Sequence, residues 1–287
     1  MARPRHIDFS RPRVTGRRWR HVAWSAALAG TLVGALATLP VHAADFTAKE
    51  VTTAMFGAAA GAKLDYSGRD LSGLDLAGLD FKQAQLNKAN LFGTDLAGAN
   101  LSGANLAGAR LDRAVITRAD FTAADLTGVT MLRPTIYSGL EPDQREAPRF
   151  RGANLTGARI MAVRLDGADF RGANLTGADL AALDYPWGDD RGSPQRAVLL
   201  GCDFSGATLT GVRLRFAVLH FARFRGADLS GVDFTKADLT KADLSGANLT
   251  GANMTGANLD GAVLSGVRGL ETVQGLHLAR NIETAIR

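Results

Sequence analysis

The side chains best equipped for chemistry in this 287-residue chain fall into a few groups. Asp228, Asp233, Asp238 and Asp243 are evenly spaced carboxylates, the oxygen donors that hard cations take. Arg213, Arg215, Arg223 and Arg225, interleaved with Phe216, His220 and Phe221, offer guanidinium groups suited to anionic lipid headgroups, glycans or other polyanions. Tyr137 and Arg145 lie in one irregular stretch, and Tyr185, Trp187, Asp189, Asp190 and Arg191 in another. Both mix aromatic and charged groups as binding loops do. Cys202 is the single thiol, so an intramolecular disulfide and the usual Cys/His zinc sites are excluded. Beyond residue 43 the only histidines are His220 and His277, far apart in sequence. No nucleophile elbow, zinc-protease His-Glu pair or phosphate-binding loop is present. The expectation is a protein without catalysis, cofactor or metal.

What must position these residues is a period of five. From Tyr66 to Leu264 a large apolar residue recurs every fifth position in three blocks: Tyr66 to Ile136, Phe150 to Tyr185, and Leu199 to Leu264. Two residues before each of these centres the side chain is usually small, as at Ala197, Cys202, Ala207 and Val212. Helices prefer a spacing near 3.6 and strands alternate, so neither explains a strict five. A coil that turns a corner at every unit does. Each unit inserts one large and one small side chain and leaves three outward, with glycine at the corners. Four units per coil over 37 centres give about nine coils, a stack of roughly 45 Å at the spacing of paired strands. On this reading the four aspartates point from four successive faces and do not converge on one ion. Asn248, Asn253 and Asn258 continue their positions one coil on. Cys202 is a buried small side chain.

The unit, as in Ala247-Asn248-Leu249-Thr250-Gly251, resembles the pentapeptide repeat family over about 200 residues. That resemblance implies an all-β solenoid: a right-handed quadrilateral parallel β-helix, here with short helical segments capping its ends. Known members range from gyrase-binding DNA mimics to proteins of unassigned role.

Residues 1–43 are of another kind. Seven arginines against one acid in residues 1–20, an apolar run from Val22 to Leu39 and the small residues Val41-His42-Ala43 read as a secretory signal, Sec or twin-arginine, cleaved after Ala43. An uncleaved anchor is the alternative, and only that form would involve a membrane. The leader accounts for the basic balance. The chain has 33 basic and 28 acidic residues, but 26 and 27 remain after residue 43. A nearly neutral body has no field to gather nucleic acid and lacks the dense acidity of a DNA mimic.

The remaining boundaries follow from the period. Residues 44–63 form an N-terminal helical cap with Thr47 as the capping residue. Repeats fill 64–136, 149–185 and 198–265. Insertion loops occupy 137–148 and 186–197, where the prolines of the body cluster, and 266–287 cap the far end. Each loop reads as a nine-residue insertion. Eight units between them place both at one corner, about 10 Å apart. The function expected is an exported, periplasmic or extracellular scaffold that binds an unidentified protein in the cell envelope, as monomer or dimer. A topoisomerase-binding DNA mimic and a polyanion- or lipid-headgroup-binding protein are the alternatives.

Overall fold

A computed structural model describes residues 44–57, 63–139, 143–182 and 196–287, all within one compact unit, His42–Arg287. The expected leader lies outside the described residues. The backbone is a stack of parallel bridges, each joining a residue to the one about 20 positions on, so four five-residue units make one turn. Two short strands, β1 (Thr130–Leu132) and β2 (Arg159–Met161), pair in parallel within this pattern.

The bridges define four ladders. The first runs Asp65, Gln85, Asn105, Asp125, Asn154, Asn174, Thr208, Asp228, Asn248, Arg268. The second passes through Arg110, Thr130, Arg159, Asp179, Arg213 and Asp233, with its Thr130–Arg159 rung supplied by β1 and β2. The third includes Arg164, Val198, Val218 and Asp238, and the fourth Asp120, Arg149, Asp169, Asp203, Arg223 and Asp243. Asp228, Asp233, Asp238 and Asp243 therefore stand on four different ladders.

The interior follows from the two inward positions of each unit. Every large centre from Leu71 to Leu180 and from Leu199 to Leu264 is buried, as is the residue two before it from Ala84 onward, Thr94 included, except the partly buried Pro134. Fully burying a Leu or Phe contributes roughly 1.5–3 kcal/mol, so the repeated pattern supplies the driving force for stacking. Beneath the fourth ladder Phe121, Phe150, Phe170, Phe204 and Phe224 form a continuous stack, with ring centroids 4.8–5.0 Å apart. That spacing is imposed by the backbone repeat.

Corners are tight turns. Ala109 N–H donates to Leu106 O at 2.8 Å, while Gly108 between them has φ +68°. A turn of this kind needs positive φ at its third residue, which glycine adopts at least cost. Among the described residues of the five-residue repeats, eleven corner positions are filled by other residues, including Phe216 (φ +60°) and Phe221 (φ +59°).

The two ends are built differently. Helix α1 (Ala48–Gly57) starts in a capping box: Glu50 N–H donates to Thr47 Oγ1 at 3.2 Å, and Thr47 N–H to Glu50 Oε2 at 2.7 Å. The helix buries Val51 against the core, and Phe46 before it meets Tyr66 edge-on at 5.6 Å. At the other end, residues 266–287 continue the ladders. Arg268, Gln274, Arg280 and Ile286 bridge to the coil below at a six-residue step, with a 3-10 turn in each longer unit. Gly275 (φ +65°) is needed there on two counts, because a Cβ would also lie 2.9 Å from Thr255 Cα.

The interruptions differ from the expected geometry in one respect. Asp120 pairs with Arg149, 29 positions on, so the first is a nine-residue insertion as read. Arg164, however, pairs with Val198, 34 positions on. The second insertion is therefore 14 residues long. The apolar pattern places a centre at Tyr185, but the rung over Arg164 and Leu165 is formed by Val198 and Leu199. The first insertion leaves between the third and fourth ladders and the second between the second and third. They open at neighbouring corners, not at the same one.

Candidate functional site

The first insertion is laid against the stack. Ser138 donates to Glu146 through its N–H (2.8 Å) and its hydroxyl, Arg118 N–H donates to Glu146 O (2.7 Å), and Pro148 is buried. Tyr137 is half-buried, and its hydroxyl donates to Asp166 O at 3.4 Å. Burial and the neighbouring Asp166 push its phenol pKa well up. It is thus a packing residue of the loop base. Arg145 is exposed and paired with Asp143 at 2.7 Å. Tyr185, Trp187, Asp189, Asp190 and Arg191 lie outside the described residues.

The arginine stretch does not form one patch. Arg213 and Arg215 belong to the second ladder side and Arg223 and Arg225 to the fourth, which are opposite sides of the four-sided stack. Five residues of chain turn one corner, so ten residues separate opposite faces. Each arginine sits beside a carboxylate of a neighbouring coil: Arg213 with Asp179, Arg215 with Asp233 (3.8 Å), Arg223 with Asp203 (3.8 Å) and Arg225 with Asp243. Exposed pairs of this kind contribute about 0–1 kcal/mol each. Burial raises the carboxyl pKa of Asp179, but the Arg213 hydrogen bond and charge outweigh it and hold the group low. Asp228 takes no arginine of this stretch and instead accepts from Thr210, Ser230 and Asn248.

Phe216 and Phe221 occupy outward corner positions. Lys236 lies 5.4 Å from the Phe216 ring and Lys241 5.6 Å from that of Phe221, both from the next coil. Even so, Phe221 remains 58% exposed.

Two features are not evident from the sequence. One is Asp166, buried under the first insertion. Its carboxylate accepts from Leu200 N–H and Arg164 Nη1, each at 3.2 Å, yet burial dominates and raises its pKa. Cys202 lies in the same region, its thiol buried and donating to Leu165 O at 3.0 Å, with its pKa pushed far up by burial.

The other is a notch of about 750 Å³ at the corner between the third and fourth ladders. Gln144 of the first insertion bounds it on one side, with Phe221 at the other; Asp169, Arg171, Asp203, His220 and Arg223 line it, and Leu200 and Gly201 complete it. The signal for it was the corner column Gly167, Gly201, Phe221, Lys241. Two glycines leave room below a residue that fills a glycine position with a ring. A Cβ on Gly167 would lie 2.9 Å from the Gln144 side chain, so that glycine lets the insertion lie flat. Among the described residues no cluster of three or more His, Cys, Asp or Glu is placed to hold a metal ion, and no helix is long and apolar enough to cross a membrane.

The family described as Pentapeptide repeats matches in eight copies, over residues 67–103, 94–131, 149–181, 195–231 and 227–266. No curated protein matches. Among solved structures, HetL from the cyanobacterium Nostoc sp. strain PCC 7120, a pentapeptide repeat protein involved in heterocyst differentiation regulation, is 26% identical. The match covers 84% of this chain and 94% of HetL, with a TM-score of 0.48. Rfr23 from the cyanobacterium Cyanothece 51142 is 30% identical over 43% of this chain and 90% of its own, with a TM-score of 0.27. QnrB1, a plasmid-mediated fluoroquinolone resistance protein, is 20% identical over 75% of this chain and 91% of its own, with a TM-score of 0.34.

Proposed function

The chain belongs to the pentapeptide repeat family, and from that premise we propose that it is an exported, non-enzymatic scaffold that holds a protein partner in the cell envelope. The right-handed form of about nine coils belongs to the same proposal. The observation that carries the scaffold reading is the continuity of the interior: inward positions are filled by the repeat itself, and individuality is confined to outward positions and insertions. Export is supported by the basic, apolar and small-residue order of residues 1–43. Loops on a rigid support are where binding groups concentrate, which favours the second insertion and Arg145 in the first as the contact region. A topoisomerase-binding reading gains nothing from the outer surface, where arginines are interspersed among the aspartates of the second and fourth ladders.

The test combines intact mass with proximity labelling in the native host. A mature chain beginning at Ala44 with envelope neighbours is the expected result. Loss of the labelled partner in the Trp187→Ala, Arg191→Ala double variant, with melting unchanged, would assign the contact to the second insertion. An unprocessed chain labelling a topoisomerase would overturn the proposal.

A further inference from the structure

We infer that the notch between Gln144 and Phe221 binds a neutral carbohydrate chain. The argument begins with charge. Asp169 is neutralised by Arg171, which reaches it through Nε (2.8 Å) and Nη2 (2.5 Å). Asp203 and Arg223 stand 3.8 Å apart, near enough to compensate each other but beyond hydrogen-bond reach. Two carboxylates and two guanidinium groups give no net charge. An anionic ligand meets Asp169 and Asp203, a cationic one Arg171 and Arg223, and neither is favoured.

Hydrogen-bonding capacity narrows the class further. Asp203 accepts from Ser205 N–H at 3.0 Å through Oδ1, leaving Oδ2 to face Arg223 across the gap. A group bridging that gap must donate to the carboxylate and accept from the guanidinium, and a hydroxyl does both. Vicinal hydroxyls on a sugar ring can engage both side chains together, with the Gln144 amide at the opposite rim. His220 turns toward the next coil, its Nε2 2.8 Å from Asp238 Oδ2.

The apolar component is the Phe221 ring, which offers a flat surface to the C–H face of a pyranose. A peptide strand fits less well. Backbone N–H groups at this corner are already used by the coil above, Gly167 to Leu200 O (2.8 Å), Gly201 to His220 O (2.9 Å) and Phe221 to Thr240 O (3.1 Å). No sheet edge is offered there for strand addition. A volume near 750 Å³ falls within the usual range for ligand pockets, roughly 300–1,000 Å³.

The repeat supplies variants that remove the ligand groups and keep the fold. Phe221→Gly restores the residue that its positive φ favours, and Asp203→Asn restores the commonest alternative at its rung. Purified protein would be titrated by calorimetry and saturation-transfer NMR with chitohexaose, cellohexaose and maltohexaose, with an acidic oligogalacturonate and a random hexapeptide pool as comparators. At least one neutral hexamer should bind. Phe221→Gly and Asp203→Asn should each weaken it about tenfold or more, with melting unchanged or raised, while Phe216→Gly at the neighbouring corner leaves binding as it was. Three results would overturn the inference: no neutral hexamer binding, preference for the acidic or peptide ligand, or full binding in Phe221→Gly. The assay uses isolated protein, so its failure leaves the export and partner reading standing, and the reverse also holds.

Discussion

The first ladder face and the corner at Gln144 and Phe221 are built on the same rungs and turns, yet they treat polar atoms in opposite ways. On the first face the outward groups satisfy each other. Asn154 Nδ2 donates to Thr127 Oγ1 at 2.8 Å, and Asn154 Oδ1 accepts from Thr156 N–H (3.2 Å) and Thr156 Oγ1 (2.6 Å). Asn248 repeats the arrangement with Asp228 and Thr250. From Asn105 to Gly251 the rung and corner positions of that face hold no lysine or arginine. At the corner, charged groups stand beside a gap, a ring replaces glycine, and an insertion forms one wall. A repeat thus acquires a site where outward positions stop completing their own ladder, while the interior stays constant.

The interior shared by both regions gives the largest expected effect. Phe170→Ala removes a ring from the middle of the phenylalanine stack beneath the corner, and Leu175→Ala makes the equivalent cavity beneath the first ladder. Each should cost about 2.5–5 kcal/mol, the range for large-to-small changes in a close-packed core. Urea denaturation checks this. Similar costs support a common interior under unlike surfaces, whereas a much smaller cost at one site would mean that the core differs between the two regions.

Next in size is an exchange of corner residues. Gly177 beside the first ladder has φ +65°, and a Cβ placed there would meet nothing within 4 Å, so a side chain brings a conformational cost and no clash. Gly177→Phe should destabilise by about 1–2 kcal/mol, the penalty of the left-handed conformation for a residue with a Cβ. The reverse change, Phe221→Gly, should be neutral or stabilising. If both changes destabilise equally, then Phe221 is a packing residue and the contrast between the two regions fails.

Much of this was legible in the sequence because it depends on side-chain size at fixed intervals. Centres such as Phe150 and Leu229, small partners such as Ala227 and Cys202, and corner glycines are each dictated by local space or by φ. What could not be read depends on which coil lies above which. Tyr185 satisfies the apolar pattern, but hydrogen bonding selects Val198 as the rung over Arg164, and five-residue spacing alone gives no sign of that choice. Arg213 and Arg223 look like one patch because sequence proximity conceals the two corners between them. The C-terminal segment offers a third case. Its six-residue step keeps the ladder by absorbing one extra residue in each 3-10 turn, an option invisible to a search for fives. The notch required reading the corner column at intervals of one full coil, across an insertion whose length had to be known first.

The smallest effect separates the two regions by pH. On the first face Asp228 is held low: burial raises its pKa, but hydrogen bonds from Ser230, Thr210 and Asn248 outweigh it. Its contribution is present above the unfolded carboxylate value, about 3.9, and is lost as pH falls through the folded one. Asp166 beneath the corner has the opposite sign, since burial raises its pKa despite Leu200 N–H and Arg164. Its folded state binds a proton more readily than the unfolded chain does. The stability linked to it is fully present below the unfolded value and is lost as pH rises through the folded one. Asp166→Asn removes that titration and keeps an acceptor for Leu200 N–H. The melting temperature of the variant relative to the parent should therefore rise from pH 4 to pH 7. Asp228→Asn should show the reverse trend, falling relative to the parent as carboxylates ionise. If Asp166→Asn instead loses ground with rising pH, the Arg164 ion pair outweighs burial, and the acid under the insertion anchors the corner in the same way that Asp228 anchors the first face.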